Sequence, residues 1–138
     1  MTVVVAVETK DGVWVGCDSC LSDDNSKQAL DAPKWQIRPD GTFLAWAGAL
    51  RAAQIAETTK IRKQKKSESS ADYVRVMAEA IRLTHIALGV DSEYEADFLM
   101  VCARKVYTIE SDYGVVRTSH GYTAIGSGFA FALGSLAS

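Results

Sequence analysis

The first 18 residues constrain this chain most. Thr2-Val3-Val4-Val5-Ala6-Val7 is an apolar, β-branched run, Lys10-Asp11-Gly12 is a turn, and Val13-Trp14-Val15-Gly16-Cys17 is a second run that leads into Asp18-Ser19. Asp-Gly between two such runs is a strong short-range hairpin signal. The sequence therefore predicts two antiparallel strands that return Asp18 to the end where Thr2 begins. Gly41 to Ala49 reads as a buried strand that stops at Gly48 and passes into a helix of composition Leu50 to Ala56. Ser70 opens a second helix, with Tyr73, Val74, Met77, Ile81, His85 and Leu88 at core-facing spacing and Gly89 as its stop. Ala96 to Ala103, Lys105 to Glu110, Gly114 to Arg117 and Tyr122 to Ile125 read as strands, with a turn at Asp112-Tyr113-Gly114, and Phe129 to Leu136 as a last helix. The 138 residues, 48% hydrophobic, suffice for one domain with a sizeable core.

Thr2 also carries chemistry. Removal of Met1 leaves a hydroxyl and a free α-amine on one residue, and the amine, with a pKa of roughly 7.7–8.0, can serve as the base for that hydroxyl. A threonine at position 2 more often does no more than start a strand. A nucleophile of this kind needs a cation nearby, and a lysine kept charged and oriented by a carboxylate supplies one. Asp18 and Lys34, in Ala32-Pro33-Lys34-Trp35, suit that pairing, or else form a surface ion pair worth about 0–1 kcal/mol. Acyl transfer further needs a donor to the developing oxyanion, such as a backbone N–H at a strand-to-helix junction. Gly48 sits at one, where its common role is a tight turn. Ser127, in Gly126-Ser127-Gly128, either hydrogen-bonds the amine of Thr2 and relays protons or caps the last helix.

Composition narrows the setting. The net charge of −2 gives no reason to expect nucleic acid, the Val-rich start lacks the basic region of a signal peptide, and no apolar run approaches the ~20 residues of a membrane span. A cytoplasmic location is expected, and three cysteines fit a reducing compartment. Cys17 and Cys20 form a Cys-x-x-Cys, but zinc would need two more ligands at matching spacing. Cys102, His85 and His120 are each isolated, so no metal or cofactor is expected and both histidines read as structural or exposed. The basic run Lys60-Ile61-Arg62-Lys63-Gln64-Lys65-Lys66 reads as a solvated loop, with an anionic partner as the sharper alternative.

Thr2, Asp18, Lys34 in Pro33-Lys34-Trp35, Gly48 in Trp46-Ala47-Gly48-Ala49 and the Gly-Ser-Gly at 126–128 stand in order and in register. Through them, over nearly its whole length, the chain resembles the proteasome β-subunit family, including HslV, of N-terminal-nucleophile hydrolases. The resemblance implies an α+β fold, a four-layer αββα sandwich of two stacked, mainly antiparallel sheets. It implies a threonine peptidase in which Thr2 attacks the scissile carbonyl, the Gly48 N–H binds the oxyanion and Asp18, Lys34 and Ser127 assist. Ser22 and Leu50 would line the peptide cleft. Trp46 would lie at the base of the main specificity pocket, shortening it or forming an apolar wall, with a preference for small or apolar side chains. Homo-oligomeric rings, unfolded polypeptide or peptide substrates and an ATP-dependent unfoldase partner are implied as well.

The chain departs from that family in three places. It stops inside what should be the last helix, where the family continues with helix and strand and, in the proteasome branch, with an Asp and a Ser that support the nucleophile. The expectation is therefore a missing C-terminal part or a reduced member. A retained Met1 would block the amine, and Val3 stands where HslV has a second Thr. Two rival functions remain: a non-catalytic structural subunit that keeps Met1, and an N-terminal-nucleophile amidase acting on small molecules in a closed polar pocket.

Overall fold

The computed structural model describes residues 3–18, 20–22, 27–29, 33–90, 95–127 and 134–136, with the backbone alone at 20–22 and 27–29. Its elements are β1 (Val4–Thr9), β2 (Gly12–Cys17), β3 (Cys20–Ser22), β4 (Lys27–Ala29), β5 (Trp35–Ile37), β6 (Phe43–Gly48), α1 (Leu50–Thr58), α2 (Ser70–Ala87), β7 (Ala96–Cys102), β8 (Lys105–Ile109), β9 (Val115–Val116) and β10 (Tyr122–Ile125).

The N-terminal hairpin forms as its sequence predicts, with Val4 opposite Cys17 and Thr9 opposite Gly12. The Thr9 hydroxyl locks the tip, accepting from the Asp11 N–H at 3.2 Å and donating to the Gly12 carbonyl at 3.1 Å. β10 pairs with the free side of β1, Val4 opposite Ile125, giving an antiparallel sheet of order β10-β1-β2. The second antiparallel sheet has the order β5-β6-β7-β8-β9, and β3-β4 is a separate short hairpin.

β6 and β7 are near-continuous apolar runs because both of their faces are covered. Leu44, Trp46, Phe98, Met100, Tyr107 and Ile109 pack against Ala52, Ala53 and Ala56 of α1 and Tyr73, Val74, Met77 and Ile81 of α2. The alternate residues Ala45, Ala47, Leu99 and Val106 pack against Val4, Ala6 and Ile125 of the three-stranded sheet. Each fully buried Leu, Ile, Phe or Met in these clusters contributes about 1.5–3 kcal/mol. The order of layers is thus helices, sheet, sheet. The expected helix from Phe129 to Leu136, which would add the fourth layer, lies mostly outside the described residues, where positions 134–136 are helical.

Ser69 caps α2, accepting from the Asp72 N–H at 3.1 Å. Its far end closes with Gly89 at φ +69°, the Gly89 N–H bonding the Ile86 carbonyl and the Val90 N–H bonding the His85 carbonyl, a Schellman arrangement. Leu88 is a correction to the predicted core stripe. It is 53% exposed, because the helix ends at Ala87 and the cap turns the chain away. The strand expected over 96–103 ends at Cys102, where Ala103 and Arg104, both at positive φ, form the tip of the β7-β8 hairpin. β9 keeps only two residues of the run expected from Gly114 to Arg117.

Glu8 ties the two sheets together at one end. Its carboxylate accepts from the Val106 N–H of β8 at 2.7 Å and from the Arg117 guanidinium, and Arg117 holds that carboxyl below its usual range. No helix among the described residues is long and apolar enough to cross a membrane.

Candidate active site

Antiparallel pairing brings several chain ends to one place. β1 starts where β2 and β10 end, so Val3, Asp18 and Gly126-Ser127 share one end of the three-stranded sheet, the Asp18 N–H reaching the Val3 carbonyl at 3.4 Å. In the other sheet β6 ends where β5 and β7 begin, so Lys34, Gly48 and Ala96 share an end too. Lys34 and Asp18 join the two sheets there.

The Lys34 ammonium donates to Asp18 Oδ1 at 2.6 Å, with Lys34 only 1% exposed and Asp18 26% exposed. The Trp46 N–H donates to the Lys34 carbonyl at 3.1 Å, and the ammonium lies 5.8 Å from the centroid of the Trp46 ring, within range of a cation–π contact. Cys17, next to Asp18, has its thiol pushed up by burial and by the Asp18 charge, with Lys34 offsetting part of the rise. A protonated thiol there is a small apolar side chain rather than a nucleophile.

Gly48 has φ +119°, and a Cβ on it would stand 2.6 Å from the Glu95 carbonyl oxygen and 2.9 Å from the Ala96 Cα. Only glycine fits a backbone so close to the neighbouring strand. The next amide, Ala49 N–H, bonds that Glu95 carbonyl at 2.9 Å and launches α1. Gly48 and Ser127 line one groove of about 460 Å³, together with Glu95, Asp97, Ser111 and Gly126.

Asp97 was not singled out from the sequence, although a carboxylate inside the apolar run of β7 is a visible signal. Burial pushes its carboxyl up, and Glu110 adds to this, while the Ser111 backbone offsets part of it. Trp46 is 3% exposed and belongs to the helix-side core, with its indole Nε1 out of hydrogen-bond geometry with any described group. Burial pushes the nearby Glu57 carboxyl up. Leu50, the first residue of α1, is partly buried against the same core.

Thr2 lies outside the described residues, as does the side chain of Ser22. His85 is structural. It is buried, and because the Ala52 carbonyl 2.9 Å from Nε2 can only accept, Nε2 carries the proton and Nδ1 accepts from the Tyr113 hydroxyl at 2.8 Å. His120 is exposed and stacks on Tyr122 at 5.6 Å between ring centroids.

No family model and no curated protein matches the sequence. Solved structures do match. The Thiobacillus denitrificans BPH in complex with epoxomicin has 19% identity and a TM-score of 0.75, and the match covers 99% of this chain and 78% of that one. HslV from Trypanosoma brucei has 20% identity and a TM-score of 0.65, covering 96% of this chain and 76% of that one. The Pseudomonas aeruginosa Anbu complex, a helical assembly, has 16% identity and a TM-score of 0.70, covering 91% of this chain and 61% of that one. The fold is that of the proteasome β-subunits and HslV. At these identities the likeness is one of fold, and the chain spans 61% of the length of the Anbu chain and 76–78% of the other two. Within that proteasome-like fold the mixed α+β architecture of two antiparallel sheets is the one expected, and the paired charges stand at the end of β1 nearest position 2.

Proposed function

We propose that this chain, acting as one domain over residues 1–138, is a threonine peptidase whose nucleophile is Thr2 exposed by removal of Met1. The observation that carries this reading is the buried Lys34–Asp18 pair beside Val3, one peptide bond from Thr2. An ammonium that is 1% exposed is expensive to desolvate, and a merely structural pair would more cheaply be apolar. A cation in that place holds down the pKa of the Thr2 hydroxyl and amine, so that the amine, neutral, takes the hydroxyl proton as the oxygen attacks a peptide carbonyl. The Gly48 N–H stabilises the oxyanion, and Ser127, in the same groove, relays the proton to the leaving amine.

The indole of Trp46 fills its site beside Lys34, which supports a preference for small or apolar side chains at the cleavage position. Ser22 and Leu50 complete the cleft in this reading. Likeness to HslV and to a helically assembled Anbu supports a homo-oligomer that encloses the sites in a cytoplasmic protein, fed with unfolded chains by an ATP-dependent unfoldase.

The deciding measurement is the intact mass of the purified protein before and after a peptide epoxyketone, which closes a ring with both the hydroxyl and the amine of an N-terminal threonine. Loss of Met1 and gain of one inhibitor is expected, with both gain and turnover abolished in Thr2→Ala. A mass that keeps Met1 and gains nothing would overturn the peptidase and favour a structural subunit. Hydrolysis of small acyl-amides without fluorogenic peptides would point to an amidase.

A further inference from the structure

The loop between α1 and α2 is an unusual surface for an acidic chain. Residues 60–66 hold four lysines and Arg62 with no acid, leaving ten cationic residues against 17 acidic ones elsewhere. Arg62 is engaged, its two Nη atoms bonding Glu68 Oε1 and Oε2 at 2.9 and 2.6 Å. Lys60, Lys63, Lys65 and Lys66 are exposed and have no ion-pair partner among the described residues.

The loop is nevertheless held in shape. The Tyr73 hydroxyl, at 2.7 Å, tethers the Arg62 carbonyl, Gln64 Nε2 donates to the Glu68 carbonyl at 2.9 Å, and the Arg38 guanidinium donates to the Thr59 carbonyl. Behind it lies a groove of about 790 Å³ with apolar wall from Pro39 and Ile61 and rim from Thr58, Lys60, Lys63 and Gln64. The backbone amides of residues 60–64 make no hydrogen bond among the described residues. Of the groove's two acids, Asp40 is engaged and Glu57 is partly buried. Asp40 accepts from Thr42 and from the Tyr73 hydroxyl, and the Glu57 carboxyl is pushed up by burial.

We propose that this groove docks an extended, acidic segment of a partner polypeptide. Its carbonyls take the free amides of residues 60–64, its acidic side chains meet Lys60, Lys63, Lys65 and Lys66, and its apolar side chains rest on Pro39 and Ile61. Main-chain hydrogen bonds to those loop amides supply affinity, and the charges supply steering and selection. The loop's fixed shape lowers the ordering cost of binding. A polypeptide suits the site better than a nucleic acid, because none of the exposed aromatic residues among those described lies in this groove to stack a base. The inference stands apart from the proposed catalysis.

The test is fluorescence anisotropy of the full chain with a labelled peptide of alternating Glu and Leu, at low and at 0.3 M salt. Saturable binding is expected, weakened at least tenfold by the double substitution Lys60→Glu and Lys63→Glu and weakened by salt. The same reversal at Lys10 and Lys105, outside the groove, should leave affinity within twofold. Amide exchange followed by NMR should slow at residues 61–64 in the complex. No binding, equal loss from the Lys10 and Lys105 reversal, unprotected amides, or tighter binding of an oligothymidine of equal charge would each overturn the proposal.

Discussion

Two of the ion pairs that close at 2.6 Å stand in different surroundings. In Arg62–Glu68 the arginine is 39% exposed and the glutamate 11%, whereas in Lys34–Asp18 the aspartate is 26% exposed and the lysine only 1%. Glu68 is held down to about 2 by the Arg62 guanidinium, but an exposed pair is screened and adds little to folding. The surface loop is fastened chiefly by neutral bonds around it, among them the Tyr73 hydroxyl. The buried pair loses hydration that its attraction barely repays, so stability alone does not account for it. Equal distance therefore says little about purpose, and the surroundings of the charge decide.

That contrast can be broken in order of effect. Lys34→Ala should lower peptide hydrolysis by at least about 100-fold, whereas Arg62→Ala should leave it within twofold, as read by initial rates on fluorogenic peptides. Equal sensitivity would remove the distinction. Stability should then reveal an asymmetry inside the buried pair. Asp18→Ala strands an ammonium in the interior and should cost about 3 kcal/mol in urea unfolding, while Lys34→Met, which leaves a carboxylate able to reach water, should cost about 1 kcal/mol.

Tyr73→Phe sharpens the surface side, with an expected loss of about 1–2 kcal/mol from its hydrogen bonds to Asp40 and Arg62. Burial, followed by the Asp40 bond and charge, pushes the Tyr73 hydroxyl up to about 12. A raised pKa means that its contribution is complete below the unfolded value of about 10 and is lost as pH rises toward 12. The wild type should therefore weaken over that window, and the Phe variant should lack this component. Glu68→Gln comes last, with a change in melting temperature of about 1–2 °C at neutral pH. Because the Glu68 pKa is depressed, even that small difference should be present above the unfolded value near 4.5 and fade as pH falls toward 2.

Much of this fold is legible in the chain because its signals are local. The β1-β2 hairpin rests on β-branched runs around a short turn, and α2 on helical periodicity between a serine cap and a glycine stop. Where the reading failed, the cause was tertiary or stereochemical. Ala103 and Arg104 accept left-handed backbone without a glycine to announce it, so strand β7 looked one residue too long. β3 and β4 pair through three residues each, too few for alternation to register. Among the candidate site residues, Asp18 and Lys34 were paired on chemical grounds, and the burial of Lys34, which composition and spacing do not reveal, depends on both sheets closing over it. Asp97 went unremarked because Gly48, Ser111 and Ser127, which share its groove, come from distant parts of the chain.

The Glu8 clamp gives the last lesson. It stands at the far end of β1 from Val3, about 13 Å away from Val4 at strand rise, and it fixes how the N-terminal sheet is angled over its partner. Strand β1 is thus a lever with its pivot at Glu8. A tilt of about 5° there would swing the start of the strand by roughly 1 Å, a misplacement large enough in an enzyme to cost about two orders of magnitude in rate. Aim at one end of the molecule is set by a carboxylate at the other.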